Sequence, residues 1–158
     1  MGIGRWLQDH PRLLERAYGF TERLFHTLDP LFAHIGYERV ARAILPFERV
    51  SKHWIFDCQM CGQCILRLTG MTCPMTCPKL LRNGPCGGVR PGGYCEVYAE
   101  RRCIWTDAYE RSRKMDVYGD GIFLVQPPVN TLLQGTSAWI NMLTGADHEG
   151  KPAEESWA

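Results

Sequence analysis

The chain has 158 residues and a formal net charge of +1, which leaves room for one domain but not for a (β/α)₈ barrel, a fold that needs ~250 residues. So even a charge balance leaves no electrostatic footprint for nucleic acid or an anionic membrane surface. Composition is ordinary for a globular protein, apart from an excess of cysteine, glycine and tryptophan.

Residues 1–55 contain no cysteine and read as a helical N-terminal arm. The start, MGIGRWLQDHPRLLERAYGF, spreads Arg5, Asp9, Arg12, Glu15 and Arg16 where a secretory signal needs an apolar stretch. It also lacks the Ser or Thr of a myristoylation signal, and no apolar run, GIFLVQPPV included, is long enough to span a bilayer. A cytoplasmic location is the expectation. Leu24, Phe25, Leu28, Leu31, Phe32 and Ile35 recur at helical spacing, a stripe that predicts a buried helical core, with a docking face for a partner as the alternative. Asp29-Pro30 resembles an N-cap followed by proline at the first helical position, which predicts two helices here. A third is expected from Tyr37 to Leu45, stopped by Pro46. His10, His26, His34 and His53 show no ligand spacing and read as ordinary surface or core histidines.

Residues 56–115 form the cysteine-rich module, with all eight cysteines between Cys58 and Cys103. Turn formers crowd it: Pro74, Pro78, Gly84, Pro85, Gly87, Gly88, Pro91, Gly92 and Gly93. Little regular structure is expected beyond short turns at Ile65–Leu68 and Lys79–Arg82. With few apolar side chains to pack, this zone is expected to be held together by bound metal. The fold class is therefore a small, α-rich, irregular, metal-stapled domain. From Glu96, EVYAERRCIWTDAYERSRKM reads as one or two helices. In residues 116–158, GIFLVQPPVN reads as extended, Thr131–Leu143 as a short helix, and ADHEGKPAEESWA as a polar, acidic, disordered tail.

The chemistry lies in the cysteine spacing. Cys58, Cys61 and Cys64 form C-x₂-C-x₂-C; Cys73 and Cys77 follow, each with a proline after it; then come Cys86, Cys95 and Cys103. Disulfide frameworks belong to oxidising compartments, so a cytosolic setting favours metal or redox chemistry. Zinc sites present thiolates as paired knuckles, whereas three cysteines at three-residue steps suit a loop around an iron–sulfur cage. Eight thiolates match two [4Fe–4S] clusters, but the number also fits two zinc sites. The expected partition gives Cys58, Cys61, Cys64 and Cys103 to one centre, and Cys73, Cys77, Cys86 and Cys95 to the other; ferredoxin-like crossing over of Cys77 is the competitor. The glycines of NGPCGGVRPGGYC either let backbone N–H groups approach cluster sulfur or serve as turns. Trp105 and Tyr109 either cover a cluster or are core aromatics. From Lys79 to Lys114, eight basic residues face four acidic ones, an excess that can offset anionic clusters or steer an acidic donor.

With these residues in view, FDCQMCGQCILRLTGMTCPMTCPKLLRNGPCGG, followed by GYCEV, CIW and AYERS, resembles the cysteine-rich module of methylenetetrahydrofolate reductase. That module occurs at the C-terminus of some reductases or as a separate, MetV-type small subunit. The resemblance runs from Phe56 to Arg113; the flanking arm and tail lie outside it. It implies a (β/α)₈ catalytic partner carrying FMN or FAD and the folate, and a small subunit with two [4Fe–4S] clusters. The ligand set it implies is Cys58, Cys61, Cys64, Cys73, Cys77, Cys86, Cys95 and Cys103. The electron donor would be a ferredoxin or an NAD(P)H-linked module. No GxGxxG fingerprint or P-loop accompanies these motifs, and no catalytic acid, base or folate-binding residue is assigned to this chain. The expected role is an electron relay. A zinc-stapled interaction subunit, or a free-standing ferredoxin-like carrier for another one-carbon enzyme, are the competing readings.

Overall fold

A computed structural model describes residues 3–148. Five α-helices organise them: α1 (Ile3–Gln8), α2 (Pro11–Ile35), α3 (Tyr37–Phe56), α4 (Ile104–Ser112) and α5 (Ala138–Thr144). Short 3₁₀ turns punctuate the remainder, and the described residues contain no β-strand, only isolated bridges pairing Tyr94 with Arg90 and with Arg102. No described helix is long and apolar enough to cross a membrane.

The N-terminal helices are longer than their prolines predict. Helix α2 runs unbroken through Pro30, and α3 continues past Pro46 to Phe56. A proline inside a helix frees the carbonyl four residues earlier. Here Pro30 and Pro46 lie on exposed faces, as do His26 and Arg42, so water can satisfy the freed carbonyls and the buried faces carry the helices through. The break falls instead at Gly36, where φ of +98° suits a residue without a side chain. Phe25, Leu28 and Phe32 of the expected stripe pack against Val40, Ile44, Ile140 and Leu143. Leu24, Leu31 and Ile35 remain exposed, so only half of the stripe is core.

A second core joins distant parts of the chain. Leu14 of α2 packs with Leu66, Met71, Cys73 and Met115, against Leu7, Tyr18, Ile55, Phe56, Met75 and Tyr118. Glu15, buried beside it, ties α2 to the segment after α4: its carboxylate accepts from the backbone N–H of Asp116, Val117 and Tyr118 at 2.8–2.9 Å. Burial pushes this carboxyl up, but the three N–H groups, aided by Arg12, outweigh it and hold it below its ordinary value. The cysteine-rich zone thus departs from expectation in its first half: Met60, Ile65, Leu66 and Met71 are buried core residues. Gly70 makes this possible, because at φ +60° it brings the loop against the backbone of α4, where a Cβ would collide with Ala108 O.

Residues 96–103 form turns, and helix begins only at Ile104. The turn expected at Lys79–Arg82 lies earlier, at Pro78 and Lys79, closed by Leu80 N–H donating to Cys77 O at 2.8 Å, with a bend at Arg82 and Asn83, and a 3₁₀ turn stands before it at Pro74–Thr76. Gly119–Phe123 is a 3₁₀ turn before the chain extends, and the expected Thr131–Leu143 helix is a 3₁₀ turn at Thr131–Leu133 followed by α5. Ser137 caps α5 by accepting from Ile140 N. Of the acidic tail, Ala146–His148 is a 3₁₀ turn, and the rest lies outside the described residues.

Candidate functional site

The eight cysteines separate into two groups of four, each around its own cavity, and none is disulfide-bonded. Cys58, Cys61, Cys64 and Cys73 line the first, together with Met60, Ile65, Leu66 and Met75. Cys77, Cys86, Cys95 and Cys103 line the second, together with Val89, Ile104 and Trp105. The expected partition is corrected at two positions: Cys73 belongs with the N-terminal trio and Cys103 with the C-terminal set. Packing is the reason. Cys73 is anchored in the core with Leu66 and Met71, directly under the first loop. Cys103 precedes α4, packs with Trp105 and Ala108, and donates its N–H to Gly93 O at 2.7 Å, which moors it beside Cys95. The 3₁₀ turn Pro74–Thr76 is all that separates Cys73 from Cys77, so the two groups adjoin, with these Cα atoms at most ~14 Å apart.

Local backbone explains how the first loop brings its sulfurs together. Asp57, Met60 and Gly62 adopt left-handed conformations, with φ of 53°, 51° and 75°. Such reversals every two or three residues curl the chain around a concavity and turn successive N–H groups toward it. For Met60 this conformation is unfavourable; its return is an N–H donated to Cys58 Sγ at 3.4 Å. Amides two residues on also pull other thiols down, Leu66 N–H at Cys64, Met75 N–H at Cys73 and Val97 N–H, with Tyr98 N–H, at Cys95, an influence that favours thiolate over thiol.

Electrostatics differ between the groups. In the first, the hydrogen bond with Cys73 holds Cys58 down at about 6 despite burial, with help from Met60 N–H and Lys52. The same bond, with burial, pushes Cys73 up. Burial pushes Cys64 up as well, against the pull of the Lys52 ammonium. The second group is more open. Cys86 is exposed, its Sγ 3.6 Å from Glu96 Oε1 and 3.9 Å from Lys79 Nζ, and Lys79 pairs with Glu96. Cys95 is held below the ordinary thiol value, chiefly by Tyr98 N–H.

An open cleft of about 1140 Å³ reaches Cys73 from outside, between the end of α3 and residues Arg101, Arg102 and Ile104. Trp105 is buried, donates Nε1–H to Leu81 O at 3.2 Å and walls the second cavity. Tyr109 is half-exposed and meets Phe123 edge-on, away from either group. Gly87, Gly92 and Gly93 hold positive φ and serve turns; the amide bonds to cysteine sulfur described above come from other residues. Much of the basic excess is paired: Arg102 with Asp107 and Glu110, Arg111 with Asp9. All four histidines of the first zone are exposed and far from ligand geometry. Among the described residues, no three His, Cys, Asp or Glu side chains converge closely enough to hold a single ion.

Two residues at the first cavity escaped the sequence reading. Glu48 and Lys52, both on α3 and both buried, form an ion pair at 2.6 Å. The acid four residues before a base on a helix was the available signal, hidden because the helix was expected to end at Pro46. Against known proteins, residues 37–131, well over half of the chain, match the sequence model of a family described as methylene-tetrahydrofolate reductase C terminal. The match takes in α3, which the resemblance read from Phe56 onward did not reach. No curated protein and no solved structure matches.

Proposed function

The chain belongs to the methylene-tetrahydrofolate reductase C-terminal family, and from that premise we propose that it is the electron-relay component of such a reductase. Its partner would be a flavin-binding catalytic barrel, and its donor a one-electron carrier or nicotinamide-linked module. Reducing the methylene group of the folate to methyl consumes two electrons and two protons. This chain contributes a path for the electrons, delivered singly; the protons and the hydride transfer belong to the partner's flavin site.

One observation carries this reading: two separate cavities, each walled by four unbridged cysteines. Cys58, Cys61, Cys64 and Cys73 would hold one [4Fe–4S] cluster, and Cys77, Cys86, Cys95 and Cys103 the other. When bound, these groups supply reversible one-electron chemistry. The donor set fits them. Thiolates are the ligands such cages take; Met60 N–H donates to Cys58 Sγ, and neighbouring amides favour the thiolate at Cys64, Cys73 and Cys95. Three cysteines at three-residue steps, Cys58, Cys61 and Cys64, suit such a cage better than the paired knuckles of a zinc site. Met60, Ile65, Leu66 and Met75 give the first cavity an apolar wall, while the exposed Cys86 leaves the second accessible to a partner.

Anaerobic purification with iron, sulfide and zinc counted per chain tests the proposal. About eight iron and eight sulfide ions, and a paramagnetic resonance signal on reduction, are expected for two such clusters. A colourless protein holding about two zinc ions would sink it. Affinity purification of the tagged chain should bring down a flavoprotein of barrel size; recovery of a lone monomer would favour a free-standing carrier.

A further inference from the structure

The first cavity contains charges that thiol ligation by itself does not require. Besides its cysteines, its charged lining residues are Glu48, Lys52 and Arg82. All three are buried, with relative exposures of 2%, 7% and 6%. Burying an ion costs several kcal/mol, so each needs a compensating neighbour. Glu48 has its own in full: Lys52 Nζ at 2.6 Å, Ser137 Oγ at 2.6 Å and Ala138 N at 3.2 Å. The cations do not. Lys52 has three N–H bonds to give; among the described residues its one hydrogen-bond acceptor is Glu48, and its Nζ lies 4.9 Å from the centroid of the Trp139 ring. Both terminal nitrogens of Arg82 donate to one acceptor, Gln63 O, at 3.2 Å, and its Nε is buried without a hydrogen-bond partner. Two cations and one carboxylate thus border the same four sulfurs. Asp147 and Arg67 border an adjoining, larger cavity that shares Lys52, Cys64 and Arg82 with this one.

Resting on the relay reading above, we infer that Lys52 and Arg82 are positioning residues of fixed charge that raise the reduction potential of the Cys58/Cys61/Cys64/Cys73 centre. The physical reason is that gaining an electron adds negative charge at the sulfurs, and a cation held nearby in a low-dielectric wall favours that state. Lys52 is held there as a cation by Glu48, paired with it at 2.6 Å. The second cavity's cations are less buried: Lys79 and Arg102 are about two-fifths exposed and already paired with carboxylates, and Arg101, partly exposed, also borders the open cleft, so solvent screens them.

The test is an anaerobic redox titration of the full chain, followed by paramagnetic resonance, on the unmutated protein, Lys52→Met and Glu48→Gln. Lys52→Met should lower the midpoint of one couple by enough to change its reduced-to-oxidised ratio about tenfold at a fixed potential, ~59 mV for one electron. Glu48→Gln, which keeps the shape and leaves the cation, should raise the same couple. The other couple should stay in place in both variants. A purely structural role would not give opposite signs. If Lys52→Met fails to fold, the upward shift in Glu48→Gln decides alone. No shift, shifts of one sign, or equal shifts in both couples would overturn the inference. Absence of any iron–sulfur signal in the unmutated protein would instead overturn the relay reading, before any variant is compared.

Discussion

The two groups of cysteines have the same number of sulfurs and opposite support. The stretch from Cys58 to Cys73 lies on α2 and α3, with Met60, Ile65, Leu66 and Met71 buried around it. From Lys79 to Arg102 the chain is turns and bridges, with Leu80, Tyr94, Val97 and Tyr98 exposed and little beneath it but Trp105. The first half is held by its apolar side chains; the second has few, so its order is expected to depend on what its thiols bind.

The largest expected effect is on the weaker half. Cys86→Ser should leave residues 79–102 open to limited proteolysis, whereas Cys61→Ser should lose its centre with residues 60–75 still protected. Mapping the cleavage sites checks this, and early cuts between Met60 and Met75 in either variant would erase the distinction. Next, Met71→Ala should destabilise the protein by ~2–5 kcal/mol in denaturant unfolding, as for a fully buried methionine. Val97→Ala, on the exposed half, should stay within about 0.5 kcal/mol.

Glu15→Gln probes the clamp between α2 and residues 116–118, beneath the packed half. It should cost ~2 kcal/mol at neutral pH, the scale of charge-assisted hydrogen bonds. Because the folded-state value lies below the ordinary 4.5, the native contribution is fully present above that pH and lost as pH falls through the lower folded value. The unmutated protein and Glu15→Gln should therefore converge in stability in acid; a constant gap from pH 7 to pH 3 would assign the effect to packing. The smallest effect belongs to the exposed pair Lys79–Glu96. Lys79→Ala should change thermal stability by under ~1 kcal/mol, and less at high salt.

Much of the chemistry was legible in residue order. C-x₂-C-x₂-C, the CPK-x₃-NGPCGG run and the spacing of the remaining cysteines marked the ligand candidates and the family, because a motif needs only residue type and separation. Helical spacing around Leu24–Ile35 placed the N-terminal helices for the same reason. What periodicity could not say was which face of Pro30 and Pro46 would meet water, and on that the continuity of α2 and α3 depended.

Residue order alone determined that eight thiols would crowd one zone of a helix-rich chain of the methylene-tetrahydrofolate reductase C-terminal family. Tertiary structure decided how they divide: Cys73 joins the first trio because the Leu66–Met71 core holds it there, and Cys103 the second because α4 begins there. It also decided that Glu48 and Lys52, two polar residues on an ordinary helix, would be buried against four sulfurs. Spacing along a chain limits which side chains can meet; the packing of helices beneath a loop selects which ones do.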